Sequence, residues 1–167
     1  MPFATAFYRA LGTGMVISVD SPIDDKVRSA MESLIEDYEH VLSRFRNDSL
    51  IAAIGKAEHG GSFDFPDWCA PLFDLYDALF SATSGAIDPC VGEDLIRLGY
   101  DASLSFTVTQ DAPEHLGALR GRAVWGRDVT RHGTTLVTHE PVQLDFGACG
   151  KGYLVDLLGR MCSRHNS

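Results

Sequence analysis

No stretch of this 167-residue chain approaches the roughly 20 consecutive apolar residues that a membrane-crossing helix needs, so no membrane segment is expected. The opening Met1-Pro2-Phe3-Ala4-Thr5 lacks the basic start and apolar run of a secretory signal, which makes a cytoplasmic protein the expectation. Basic residues are scarce. Fourteen Lys and Arg face 23 Asp and Glu, for a formal charge of −9 with no basic stripe, which argues against nucleic acid as a partner. An anionic ligand would need positive charge supplied locally. The four cysteines, at 69, 90, 149 and 162, form no C-x-x-C pair, so neither a zinc cluster nor a disulfide framework is indicated and they read as reduced thiols. The six histidines show no metal-ligand spacing, and no Ser or Cys carries the local signature of an activated nucleophile. No catalytic residue is named on these grounds. Repeats, low-complexity tracts and linkers are missing too, and a 45% hydrophobic, 22% charged composition is that of one globular domain over residues 1–167.

The patterning that is present predicts the following elements. Met15, Ile17 and Val19 alternate with smaller or more polar positions, a half-buried strand led in by Gly12 and Gly14. After Ser21-Pro22, read as a cap and a first-turn proline, Val27, Met31, Leu34, Tyr38, Val41 and Phe45 recur at helical spacing, with Ile35 and Leu42 widening the stripe. Glu32, Glu36, Asp37 and Glu39 form the solvated face of that helix. Asn47-Asp48-Ser49 starts a shorter helix through Ile54 that Gly55 stops, and Gly60-Gly61-Ser62 is a turn. Asp67 caps a helix with Trp68, Leu72, Leu75 and Leu79 on one side, ended by Gly85. Strands are expected at 104–108, 123–125, 134–138 and 142–146. Helices followed by strands too close for crossover connections indicate an α+β fold, a mainly antiparallel sheet flanked by helices.

Three segments carry candidate chemistry. In Leu144-Asp145-Phe146-Gly147-Ala148-Cys149-Gly150-Lys151-Gly152-Tyr153 a strand runs through small residues into a helix, where free N–H groups and the Lys151 ammonium favour phosphate. The spacing fits neither the Walker nor the dinucleotide-fold fingerprint. Val142, Leu144 and Phe146 share one face by period-2 reasoning, which leaves Asp145 on the other, available to a ligand. Taken alone, the segment suits a phosphate cradle or a glycine-rich turn packing a helix on a sheet. In Ser84-Gly85-Ala86-Ile87-Asp88-Pro89-Cys90-Val91-Gly92, Pro89 holds Asp88 extended, either to meet a nucleobase or ribose or simply to open a turn. In Leu42-Ser43-Arg44-Phe45-Arg46, two arginines flank an aromatic, suited to the helix dipole or, for Phe45, to stacking. Cys149 reads as a small residue filling a tight turn.

Together with Leu11-Gly12-Thr13, Asp48-Ser49 and Asp156, these segments occur in the order in which they appear in the ApbE family of FAD:protein FMN transferases, which the chain resembles from Leu11 to about Arg160. The resemblance implies FAD as substrate, Mg²⁺ as cofactor and a flavin-acceptor protein as partner. FMN would pass to a Thr or Ser hydroxyl as a phosphoester, with release of AMP. Some family members instead hydrolyse FAD to FMN and AMP, and a third possibility is a non-catalytic flavin-binding fragment. By position, Leu11 and Phe45 correspond to flavin-pocket residues, Ala86, Ile87 and Asp88 to a FAD-binding turn, Asp145 and Lys151 to further FAD contacts, and Ala148 to a magnesium ligand acting through its backbone carbonyl. The chain departs from the family pattern with Cys90 for Thr, Leu11 for Met and Gly55 for Asn. Family members also continue into further strands and a late His-x-x-Asp-Pro segment that completes the metal site, so the carboxy-terminal half of the family fold is expected to be missing.

Overall fold

The computed structural model describes residues 3–165. They group into two compact units, one made of residues 3–40 with 147–165 and the other of residues 41–146.

The first unit opens with a hairpin. β1 (Phe3–Ala10) pairs antiparallel with β2 (Thr13–Val19), from Phe3 opposite Val19 to Ala10 opposite Thr13, with an irregularity between Phe7 and Ala10. The two connecting residues, Leu11 (φ 55°) and Gly12 (φ 74°), both lie in the left-handed region, as a two-residue hairpin turn requires. β2 is the strand expected from the alternation. α1 (Asp25–Leu42) begins three residues later than the Ser21-Pro22 cap expected, because Asp24 Oδ1 accepts the Val27 N–H at 2.7 Å and so satisfies the first turn. Its buried line is Met31, Ile35, Tyr38 and Leu42, and it ends before Phe45. Glu39 leaves the expected acidic face: its carboxylate accepts the Leu11 N–H at 2.5 Å. α6 (Gly147–His165) completes the unit with Tyr153, Leu154 and Leu158 buried.

In the second unit Ser49 caps α2 (Leu50–Lys56) by accepting the Ala52 N–H. Gly55 does not stop this helix. It lies inside it, where a Cβ would come 2.6 Å from the Gln143 side chain, whose amide donates to the Gly55 carbonyl. A three-stranded antiparallel sheet has the order β3 (Gly61–Asp64), β5 (Thr135–Thr138), β4 (Val129–His132). α3 (Ala70–Ala82) turns Leu72, Phe73 and Tyr76 inward, while Leu75, expected on the apolar side, is exposed. Phe73 sets that orientation, since its ring meets Phe65 at 5.1 Å and Phe146 at 5.4 Å between centroids, and Phe146 also meets Tyr76 and Trp125. Gly85 (φ 83°) closes the helix with its N–H on the Phe80 carbonyl.

The remaining helices are α4 (Gly92–Arg97) and the single-turn α5 (Ala112–His115). Segments 104–108 and 142–146 are not strands, and 123–125 contributes one isolated bridge, Trp125 to Val129. The alternation in 142–146 is nonetheless real: Val142, Leu144 and Phe146 are buried, and Gln143 and Asp145 lie between them half-buried. The segment forms no ladder because the Asp145 N–H bonds instead to the Pro89 carbonyl, 2.7 Å away. The fold is α+β, with every paired strand antiparallel among the described residues and only the isolated Trp125–Val129 bridge parallel.

Candidate functional site

The second unit brings three of the sequence segments together. Asp88 is buried at the start of a 3-10 turn, Pro89–Val91, and its carboxylate is engaged internally: Oδ1 accepts the Cys90 N–H at 2.8 Å and the Trp125 N–H at 3.3 Å, and Oδ2 accepts Arg122 Nη1 at 3.0 Å. Arg122, also buried, meets Asp94 at 2.9 Å. Of the two local readings of Asp88, opening the turn is the one its side chain serves. What the turn offers outward is Ala86, exposed, and Ile87, half-buried.

Asp145 is joined to this turn by its N–H on Pro89 and to the 43–46 segment by an ion pair with Arg44 Nε. The Arg44 side chain is only 8% exposed. Its guanidinium lies 4.2 Å from the centroid of Phe45 and 4.6 Å from that of Tyr100, two rings set edge to face 5.3 Å apart. Phe45 and Tyr100 are both exposed, and Tyr100 stacks on the exposed Phe106. Arg44 is thus not a cation on a helix end, because α1 stops two residues earlier. Its position relative to Asp145, and the presence of Tyr100, were not readable from spacing. The one available clue was an acidic residue on the open face of 142–146 in a chain short of basic partners.

In the first unit Leu11 occupies the hairpin turn, half-buried, with its N–H held by Glu39. Gly147, Ala148 and Lys151 lie exposed on the opening turns of α6, and Tyr38, the residue before Glu39, donates its hydroxyl to the Gly150 carbonyl at 2.7 Å. The small residues at 147–150 are therefore the first turn of a helix, not a loop ahead of one. Lys151 places a full positive charge on these opening turns.

Neither of the two buried thiols, Cys69 and Cys90, is suited to nucleophilic work. Burial pushes Cys69 up to about 12, and burial followed by the neighbouring Asp88 charge raises Cys90 further still, so both remain protonated at neutral pH. Among the described residues no group of three or more His, Cys, Asp or Glu side chains converges as a metal site. The Ala148 carbonyl alone does not build the oxygen shell that Mg²⁺ requires. No helix among the described residues is long and apolar enough to cross a membrane.

The ApbE family model matches residues 11–167. The chain belongs to the ApbE family. Among solved structures, the flavin transferase ApbE from Vibrio cholerae matches with a TM-score of 0.82 and 20% identity over 98% of this chain and 54% of that one. The apo flavinyl transferase ApbE from Pseudomonas stutzeri matches at 0.76 and 21% over 98% and 53%, and the ApbE protein from Thermotoga maritima at 0.71 and 20% over 96% and 52%. The chain spans about half the length of these ApbE structures. A comparison with curated proteins gives no match.

Proposed function

We propose that residues 1–167 act as one FAD-binding domain of an ApbE-type flavin transferase. In the reaction, the oxygen of a Thr or Ser hydroxyl on a target flavoprotein forms a bond to the FMN phosphorus of FAD. The bridging P–O bond breaks, AMP leaves, and the hydroxyl proton passes to solvent. The observation that carries this reading is the exposed opening of α6, with Ala148 and Lys151 on it, inside a family match that runs from residue 11 onward. The Lys151 ammonium would offset part of the charge of a diphosphate. Phe45 would supply an aromatic face for the flavin, Leu11 an apolar wall, and Ala86, Ile87 and Asp88 backbone contacts, since the Asp88 carboxylate is already engaged. Asp145 would act with Arg44. Ala148 would offer its carbonyl to Mg²⁺, with other oxygens drawn from outside the described residues. A cytoplasmic location belongs to the same reading and suits four unbridged cysteines.

The test is incubation with FAD, Mg²⁺ and a flavoprotein acceptor domain, followed by mass analysis of the acceptor and of the free nucleotides. A covalent FMN adduct with stoichiometric AMP is expected. AMP and free FMN without an adduct would identify a hydrolase. A second reading is a non-catalytic flavin-binding module. Tight FAD binding indifferent to Mg²⁺, with no AMP released, would select it.

A further inference from the structure

Arg44 carries a donor with nothing to donate to. Its side chain is 92% buried by the 8% exposure above, Nε is committed to Asp145, and Nη2 is buried without a hydrogen-bond partner. Leaving such a group unsatisfied costs about 1–3 kcal/mol, more for a charged one, so an unfilled guanidinium N–H within a folded protein marks a place where an acceptor is expected to arrive. The neighbourhood limits what that acceptor is. Asp145 already offsets the Arg44 charge, so a second anion is not demanded. The guanidinium lies against Phe45 and Tyr100, both partly open to solvent at 41% and 39% exposure, and aromatic side chains of this kind suit a flat ligand.

We infer that Arg44 Nη2 donates to a carbonyl oxygen on the rim of a planar heteroaromatic ring seated against Phe45 and Tyr100, which for this protein is the pyrimidinedione edge of the flavin. The inference rests on the flavin reading above and adds to it two residues, Arg44 and Tyr100, and the part of the ligand that they recognise.

The experiment uses riboflavin, which has the ring and no phosphate, and ADP, which has the diphosphate and no flavin. Each is titrated against wild type, Arg44→Lys and Arg44→Met, by flavin fluorescence quenching for the first and by displacement of FAD for the second. Arg44→Lys keeps the ion pair with Asp145 and guards against misfolding in Arg44→Met, with circular dichroism melting as the check. Both folded variants are expected to bind riboflavin at least tenfold more weakly while ADP affinity stays within twofold, and the reduction potential of the bound flavin is expected to fall, because a donor at the ring carbonyl favours the reduced, more electron-rich form. Unchanged riboflavin affinity in folded variants overturns the inference, as does a loss confined to ADP. Failure of wild type to bind either riboflavin or FAD overturns the flavin reading itself, and this inference with it.

Discussion

Asp88 and Arg122 form an ion pair sealed from solvent, 3% and 8% exposed, across 34 residues of sequence. It fixes the turn that carries Ala86 and Ile87 against the backbone of Trp125, and Asp94 holds the guanidinium from the other side. Removing one partner leaves the other buried and uncompensated. Arg122→Met is therefore expected to lower the unfolding free energy by about 3–5 kcal/mol, and the Asp88→Asn, Arg122→Met double variant by less than the sum of the singles. Urea titration of the four proteins checks both statements.

Leu11 is a bulky residue in a left-handed turn conformation that favours Gly or Asn. Leu11→Asn should relieve about 1 kcal/mol of backbone strain and raise the melting temperature. If Leu11 is a flavin-pocket wall, the same change weakens FAD binding, so stability and affinity move in opposite directions. A melting curve and a flavin titration on one sample decide it. Equal affinity would make Leu11 a turn residue only.

The buried thiols give a pH signature. Cys69 is raised from an ordinary 9.0 to about 12, so the folded state keeps a proton that the unfolded chain loses. The stabilisation is complete below about pH 9 and declines as pH rises towards 12, at a slope of up to about 1.4 kcal/mol per pH unit for one thiol. Cys90, shifted in the same sense, adds to it. Urea midpoints between pH 8 and 10.5 should fall, and should fall less steeply in Cys69→Ala.

Gly92 packs so closely on the 142–146 segment that a Cβ would come within 2.5 Å of the Gln143 carbonyl oxygen. Backbone cannot yield as a flexible side chain does. Gly92→Ala is expected to cost about 1–3 kcal/mol and to loosen the bond from the Asp145 N–H to Pro89. Hydrogen exchange at the Asp145 amide reports the second effect directly.

What the sequence disclosed tracks how strongly each segment's own pattern determines its structure. β2 and the stripe of α1 were legible because a single face of each is apolar at the proper period. β1 was missed because Phe3 to Ala10 is interrupted by a register irregularity, and β4 because Val129 alone of its four residues is apolar and buried. Segment 104–108 alternates like a strand, yet Asp101 accepts the N–H and hydroxyl groups of Ser103 and Ser105, and Leu104 and Phe106 take positive φ. Those bonds, Ser105 first, hold the Asp101 carboxyl well below the usual carboxylate range. Lys151 and Ala148 lie exposed within the opening turns of α6, in the segment read as a run of small residues leading into a helix. Arg44 needed the fold, since its partner Asp145 lies 101 residues away.

The claim on which the rest stands is that the opening of α6 receives the diphosphate of FAD. Titration of FAD and riboflavin against wild type and Lys151→Ala tests it most directly. The account predicts that Lys151→Ala binds FAD about tenfold more weakly and riboflavin as wild type does. Equal loss for both ligands, or no loss for either, would contradict it.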